Sequence, residues 1–101
     1  MKSIEADIRW LSHDEGGRKC LPYPGFMYYP HIRVDEINTE PWSVCFCVTP
    51  VDKKGLSTIL FSLLVDNFES RCFSSKLKIG MHFVLLEGNK TVAQGYIRKI
   101  K

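Results

Sequence analysis

Short runs of alternating apolar and polar residues, each ended by turn chemistry, govern what this chain can fold into. In the first run Ile4, Ala6, Ile8 and Trp10 alternate with Glu5, Asp7 and Arg9. Side chains two apart on a strand share a face, so this spacing predicts a half-buried strand with one wet side. His13-Asp14-Glu15-Gly16-Gly17-Arg18 ends it, the paired glycines permitting positive φ. Helix-period patterns are scarce by comparison.

Further along, Leu21-Pro22-Tyr23-Pro24-Gly25-Phe26 forms a stiff loop, because each proline fixes its own φ and restrains its predecessor. A second strand is expected from about residue 29 to 34. Trp42, Val44, Phe46 and Val48 alternate with Ser43, Cys45 and Cys47 in a third, and Asp52-Lys53-Lys54-Gly55 turns out of it. Residues 56–65 read as a buried strand, and residues 72–78 as strand or irregular chain. Residues 82–86 and 91–100 flank Glu87-Gly88-Asn89-Lys90, a good hairpin turn. Gly95, inside the last strand, signals a bulge or the close approach of another backbone. Strands at this spacing predict an all-β fold, a closed antiparallel β-barrel of about six strands, in a single domain over residues 1–101.

At 101 residues the chain is long enough for one hydrophobic core and too short for two. Its 45% apolar content with a net charge of only +3 excludes a disordered chain. No apolar run reaches the roughly 20 residues of a membrane-spanning helix. Glu5 and Asp7 stand where a secretion signal would be apolar, so a cytoplasmic protein is expected. Cys20, Cys45, Cys47 and Cys72 could form two disulfides in a secreted chain. Cys45 and Cys47, however, share a strand face with apolar neighbours and are expected to fill the core as free thiols. Residues 1–50 carry five bases and seven acids, and residues 51–101 carry nine bases and four acids. The second half thus suits an anionic partner, although lysines scattered for solubility would give the same count.

The two ends of the pattern resemble the carboxy-terminal β-barrel, the third domain, of translation elongation factor Tu. That domain opens with an alternating strand, a Leu-Ser pair and an acidic Glu-Gly-Gly-Arg turn. The corresponding residues run from Ile4 through Leu11-Ser12 to Glu15-Gly16-Gly17-Arg18, with Gly25-Phe26 and Arg33 at matching spacings. It closes with a strand, an Arg-Glu-Gly-Gly-Arg-Thr-Val turn and a glycine-containing strand, matched by Gly80 to Leu86, Glu87-Gly88-Asn89-Lys90-Thr91-Val92 and Gly95. The middle departs: Pro50-Val51-Asp52-Lys53-Lys54-Gly55 replaces the family's Met-Pro-Gly-Asp turn, and Met27-Tyr28-Tyr29 replaces its Arg-Pro-Gln run. No Gly-x-x-x-x-Gly-Lys-Ser/Thr phosphate loop occurs, so a free-standing relative without the GTPase domain is expected, binding no nucleoside triphosphate.

The resemblance implies contact with the T-arm of aminoacyl-tRNA, and the matching positions include Gly16, Gly17, Arg18, Lys90, Thr91 and Gly95. The leading expectation is a non-enzymatic module that binds structured RNA of the tRNA type, or another translation component, with no cofactor. Arg18, Lys90, Thr91 and Gly95 would meet the RNA backbone, with Lys76 and Lys78 extending the basic face. The same cations serve equally as solvated turn residues, and strand lysines also deter sheet aggregation. The alternative is a protein-interaction module that imitates a surface of elongation factor Tu and occupies one of its partners. Tyr23, Phe26, Tyr28 and Tyr29 would anchor that partner. Metal binding is not expected, since Cys45-x-Cys47 has no second pair and the histidines are scattered. Catalysis has no nucleophile elbow, His-Glu-x-x-His or acid pair to rest on.

Overall fold

The opening alternation folds as strand β1, Ile4–Trp10, which buries Ile4, Ala6, Ile8 and Trp10 and leaves Asp7 exposed. The computed structural model describes residues 3–37 and 40–101; Met1, Lys2, Asn38 and Thr39 lie outside them. Further strands are Met27–Tyr28 (β2), His31–Val34 (β3), Trp42–Cys47 (β4), Leu56–Leu63 (β5), His82–Glu87 (β6) and Lys90–Ile100 (β7). An α-helix, α1, spans Phe68–Ser75, and His13–Glu15 form a single 3-10 turn after β1. Every pairing is antiparallel, and the order β4-β3-β6-β7-β1-β5 closes through a β4–β5 ladder. This is the closed six-strand barrel that the alternation predicts. The strand expected near residues 29–34 is β3, which starts at His31; before Pro30 lies the additional short strand β2, which pairs only with β4.

The interior is filled by the apolar members of each alternation. Ile32, Val34, Val44, Phe46, Ile59, Phe61, Phe83, Leu85 and Ile97 pack with the β1 residues, and the Phe61 and Phe83 rings lie 5.8 Å apart. Trp10, Tyr28 and Phe46 fill one end, with Trp10–Tyr28 and Tyr28–Phe46 centroids 5.7 and 5.6 Å apart. Among the described residues, the buried Trp10 Nε1 and Ser57 Oγ have no hydrogen-bond partner in the protein. Such groups cost about 1–3 kcal/mol each.

Gly95 marks a close approach by another backbone. A Cβ there would lie 2.3 Å from the carbonyl oxygen of Asp7 in β1. The bulges of β7 fall elsewhere. The β6 register steps from Leu85–Ala93 to Leu86–Thr91, and the β1 register from Glu5–Lys99 to Ala6–Ile97. The first step leaves Val92 extra, and both Val92 and Ala93 are buried there.

Two expectations need correction. Residues 72–78 are not a strand: 72–75 are the last turn of α1, Lys76 caps it, and only 77–78 are irregular. Asn67 caps the helix, accepting from the Ser70 backbone N–H at 2.8 Å, while its own N–H donates to Ser70 Oγ at 2.9 Å. This reciprocal cap satisfies two otherwise orphaned donors. Phe73 of α1 and Leu77, just beyond its cap, both enter the core, and Phe73 stacks on Trp42 at 5.8 Å across the far end of the barrel.

The cysteines are not core filler. All four are free, Cys20 and Cys47 are exposed, and Cys45 and Cys72 are half-buried. Trp42, Val44 and Phe46 take the inner face of β4, so Cys45 and Cys47 must face out. No helix among the described residues is long and apolar enough to cross a membrane.

Candidate binding surface

The residues expected to bind RNA are divided between the two ends of the barrel. Arg18 belongs to the Trp10 end, where the β6–β7 hairpin turns. Its Nη1 donates to Glu87 Oε1 at 2.7 Å and also to Oε2, and its Nε donates to the Cys20 carbonyl at 2.8 Å. Tyr28 donates its hydroxyl to the same carboxylate, and the guanidinium carbon lies 5.6 Å from the Tyr28 ring centroid. Burial, and then the Glu87 carboxylate, push the Tyr28 phenol above its ordinary range. Arg18 is therefore a neutralised clamp between the first turn, β2 and the hairpin.

Lys90, exposed, is the Cα partner of Glu87 in that hairpin, and half-buried Thr91 is that of Leu86. Gly95 sits mid-strand against β1, its approach filled by protein. Lys76 caps α1 and Lys78 follows it, both exposed at the opposite end of the barrel. No single surface carries all six residues.

Tyr28 also leaves the aromatic group in which the sequence placed it. Successive strand residues point to opposite faces, so Met27 is exposed while Tyr28 turns in onto Trp10 and Phe46. The other rings remain outside: Tyr23 is 78% exposed, Phe26 69% and Tyr29 59%. Their loop is pinned to β4 by Gly25 N–H to the Val48 carbonyl at 2.8 Å and Val48 N–H to the Phe26 carbonyl at 2.9 Å.

A cleft of about 410 Å³, to which this loop contributes only Leu21, lies between the turn after β1 and the turn before β5. Trp10, Leu11, Leu21 and Val51 line it together with Lys19, Lys53 and Lys54. Its carboxylates are already engaged. Asp52 accepts the Lys54 and Leu56 N–H groups at 2.8 and 2.9 Å, and Glu15 accepts Arg9 Nη1 and the Ser12 N–H at 3.0 Å. Among the described residues, Lys19, Lys53 and Lys54 form no ion pair. Sequence reading missed these three because the turns that bring them together are far apart in the chain. The Trp10 N–H bond to the Gly55 carbonyl, 2.8 Å, joins those turns.

The turn after β1 is fixed tightly. A Cβ on Gly17 would lie 2.2 Å from the Leu11 carbonyl oxygen. Arg9 and the Ser12 N–H hold the Glu15 carboxyl down at about 2, against an ordinary 4.5. A carboxyl depressed on folding adds stability above its unfolded value, and that stability is lost as pH falls towards the folded value. The thermal midpoint of Glu15→Gln is therefore expected to fall less than that of the parent chain between pH 4.5 and about 2. Parallel acid titrations of the two midpoints check this; identical curves would contradict it.

A larger groove, about 550 Å³, crosses the outer faces of β5, β1 and β7. Its Asp7 carboxylate already accepts Thr58 Oγ1 at 2.7 Å and Arg98 Nη1 at 3.5 Å, so the groove offers less free charge than the lysine cleft. Among the described residues, no group of three or more His, Cys, Asp and Glu could hold a metal ion. Neither a scan against models of protein families nor a search of curated proteins finds a match to this chain.

Proposed function

We propose that this chain is a cytosolic binding module without catalytic activity, whose partner is structured RNA of the tRNA type held at the Trp10 end. The observation that carries the reading is the convergence of three unpaired lysines, Lys19, Lys53 and Lys54, on one cleft walled by Trp10, Leu11, Leu21 and Val51. Lysines on such turns neutralise phosphates, and the exposed rings of the loop that follows the cleft-lining Leu21 give bases a surface to stack on. Lys90 and Thr91, on the hairpin at the same end, extend the track. Arg18 and Gly95 serve the fold in this reading, and Lys76 and Lys78 stand outside it. The likeness of both chain ends to the third domain of elongation factor Tu supports a place beside the translation apparatus.

Titration with labelled tRNA at two salt concentrations tests this. With about three phosphates neutralised, affinity should fall roughly 40-fold between 50 and 200 mM salt. Alanine at Lys19, Lys53 and Lys54 together should weaken low-salt binding more than about tenfold without moving the thermal midpoint. Absent or salt-insensitive binding would sink the RNA reading.

The exposure of Tyr23, Phe26 and Tyr29 on a pinned loop supports a second reading, a protein partner of the kind that grips elongation factor Tu. Exposed rings held in place lose little entropy on binding, and aromatic anchors dominate interfaces. Tyr23→Ser with Phe26→Ser should then abolish capture of a protein partner without moving the thermal midpoint. Capture of RNA without protein would count against it.

A further inference from the structure

We propose that the groove across β5, β1 and β7 seats one unpaired nucleotide of the RNA whose phosphates lie on the lysine cleft. The groove deepens the RNA reading, and rests on it, by naming the part of the RNA that is recognised. Cleft and groove adjoin. Arg9 and Asp52 line both, and the chain passes directly from Lys53 and Lys54 in the cleft to Leu56 in the groove. Their chemistry differs, because the cleft offers cations while the groove offers acceptors and a ring. Asp7 receives Thr58 Oγ1 and Arg98 Nη1 on one oxygen, Oδ1, and Asp52 receives the Lys54 and Leu56 N–H groups on its own Oδ1. Among the described residues, the Oδ2 atom of each accepts nothing. Both carboxylates are thus held in place with lone pairs to spare. Tyr96, the register partner of Asp7, is 59% exposed. The His82 ring braces it edge-on at 5.1 Å, and His82 Nδ1 lies 3.3 Å from Asp35 Oδ2. A ring braced in this way loses little freedom when something stacks on it.

Three features select an unpaired nucleotide as the occupant. Carboxylate oxygens repel phosphate, so the groove does not take the backbone itself. They accept from donors, which the amino groups of bases and the ribose hydroxyls supply. Tyr96 on β7 and the exposed Leu56 on β5 stand on either side of β1. Two strand spacings separate them by about 10 Å, room for one flat ring. A paired base hides its face and its Watson–Crick edge inside the helix, so the ring is reached by an unstacked one. The phosphate attached to such a base then has Lys53 and Lys54 beside it. The groove volume, about 550 Å³, is that of a site for a single small ligand. The lysines thus hold any RNA backbone, while the groove reads single-stranded RNA.

Two RNA hairpins test this on the intact chain at low salt, one blunt-ended and one with a single-stranded tail carrying a fluorescent purine analogue. The tail should tighten binding at least about fivefold, as one stacked base does, and its fluorescence should be quenched on binding. Tyr96→Thr keeps a strand-favouring residue at this exposed position, so the thermal midpoint should match the parent's. It should erase both effects of the tail and leave affinity for the blunt hairpin within about twofold. Alanine at Lys19, Lys53 and Lys54 together should instead weaken both hairpins alike. Salt-dependent binding of both hairpins with no advantage for the tail would overturn the proposal and leave the RNA reading standing. So would an advantage that survives Tyr96→Thr. Binding of neither hairpin would sink the RNA reading itself, and the nucleotide site with it.

Discussion

Alanine at Gly95 is expected to destabilise the barrel by about 3 kcal/mol, the upper range for forcing atoms into a packed interior. The new methyl carbon would lie 2.3 Å from the Asp7 carbonyl oxygen and 2.8 Å from Ile8 Cγ2. The first neighbour is backbone in a strand paired on both sides, so it cannot step away without moving β1. For a domain near this size the loss corresponds to a fall of roughly 12–24 °C in the thermal midpoint. Gly88 supplies the contrast, because a Cβ there meets nothing within 4 Å and only its φ of 60° opposes substitution. Gly88→Asn should therefore cost well under about 1 kcal/mol. A Gly95→Ala midpoint within a few degrees of the parent would show that β1 and β7 are not so closely apposed.

The second large effect belongs to Glu87. Removing its carboxylate by Glu87→Ala leaves the Tyr28 hydroxyl without its acceptor and the Arg18 guanidinium with only the Cys20 carbonyl. A partly buried charge stripped of its partner costs about 2–3 kcal/mol, more than deleting both members together. Chemical denaturation of Arg18→Ala, Glu87→Ala and the double variant should show a coupling of about 1–2 kcal/mol. A Glu87→Ala cost below about 0.5 kcal/mol would instead mean that solvent screens the pair. The same variants separate fold from function. Arg18→Ala should lower stability and leave tRNA affinity nearly unchanged, the reverse of the triple lysine variant.

Much of the barrel was legible because its signals are local. The alternations at Ile4–Trp10 and Trp42–Cys47 and the Glu87-Gly88-Asn89-Lys90 turn each act within a few residues. Helix α1 was hidden by its brevity. Phe73 is its single apolar core residue, and its cap, Asn67 with Ser70, lies in a polar stretch. The outward cysteines were misplaced because Cys45 and Cys47 are nearly as apolar as the residues they alternate with. Composition then could not say which face of β4 is inside, though the larger Trp42, Val44 and Phe46 are natural choices. The candidate site was the least legible. Arg18 meets Glu87 across 69 residues, and Lys19 meets Lys53 and Lys54 only through the joining of two turns. Such encounters depend on strand order, which no local pattern encodes.

The pairing of β1 with β7 also bears on how the chain acquires its shape. Ile4 is matched with Ile100, so the ring is sealed by partners 96 positions apart in sequence. That contact demands a large loop-closure entropy before it gains anything, which makes for slow folding. During synthesis, β1 would have β5 to pair with but no β7 until the residues of β7 were made. Until then the nascent chain would expose one edge of β1 and one of β6, open to any other strand nearby.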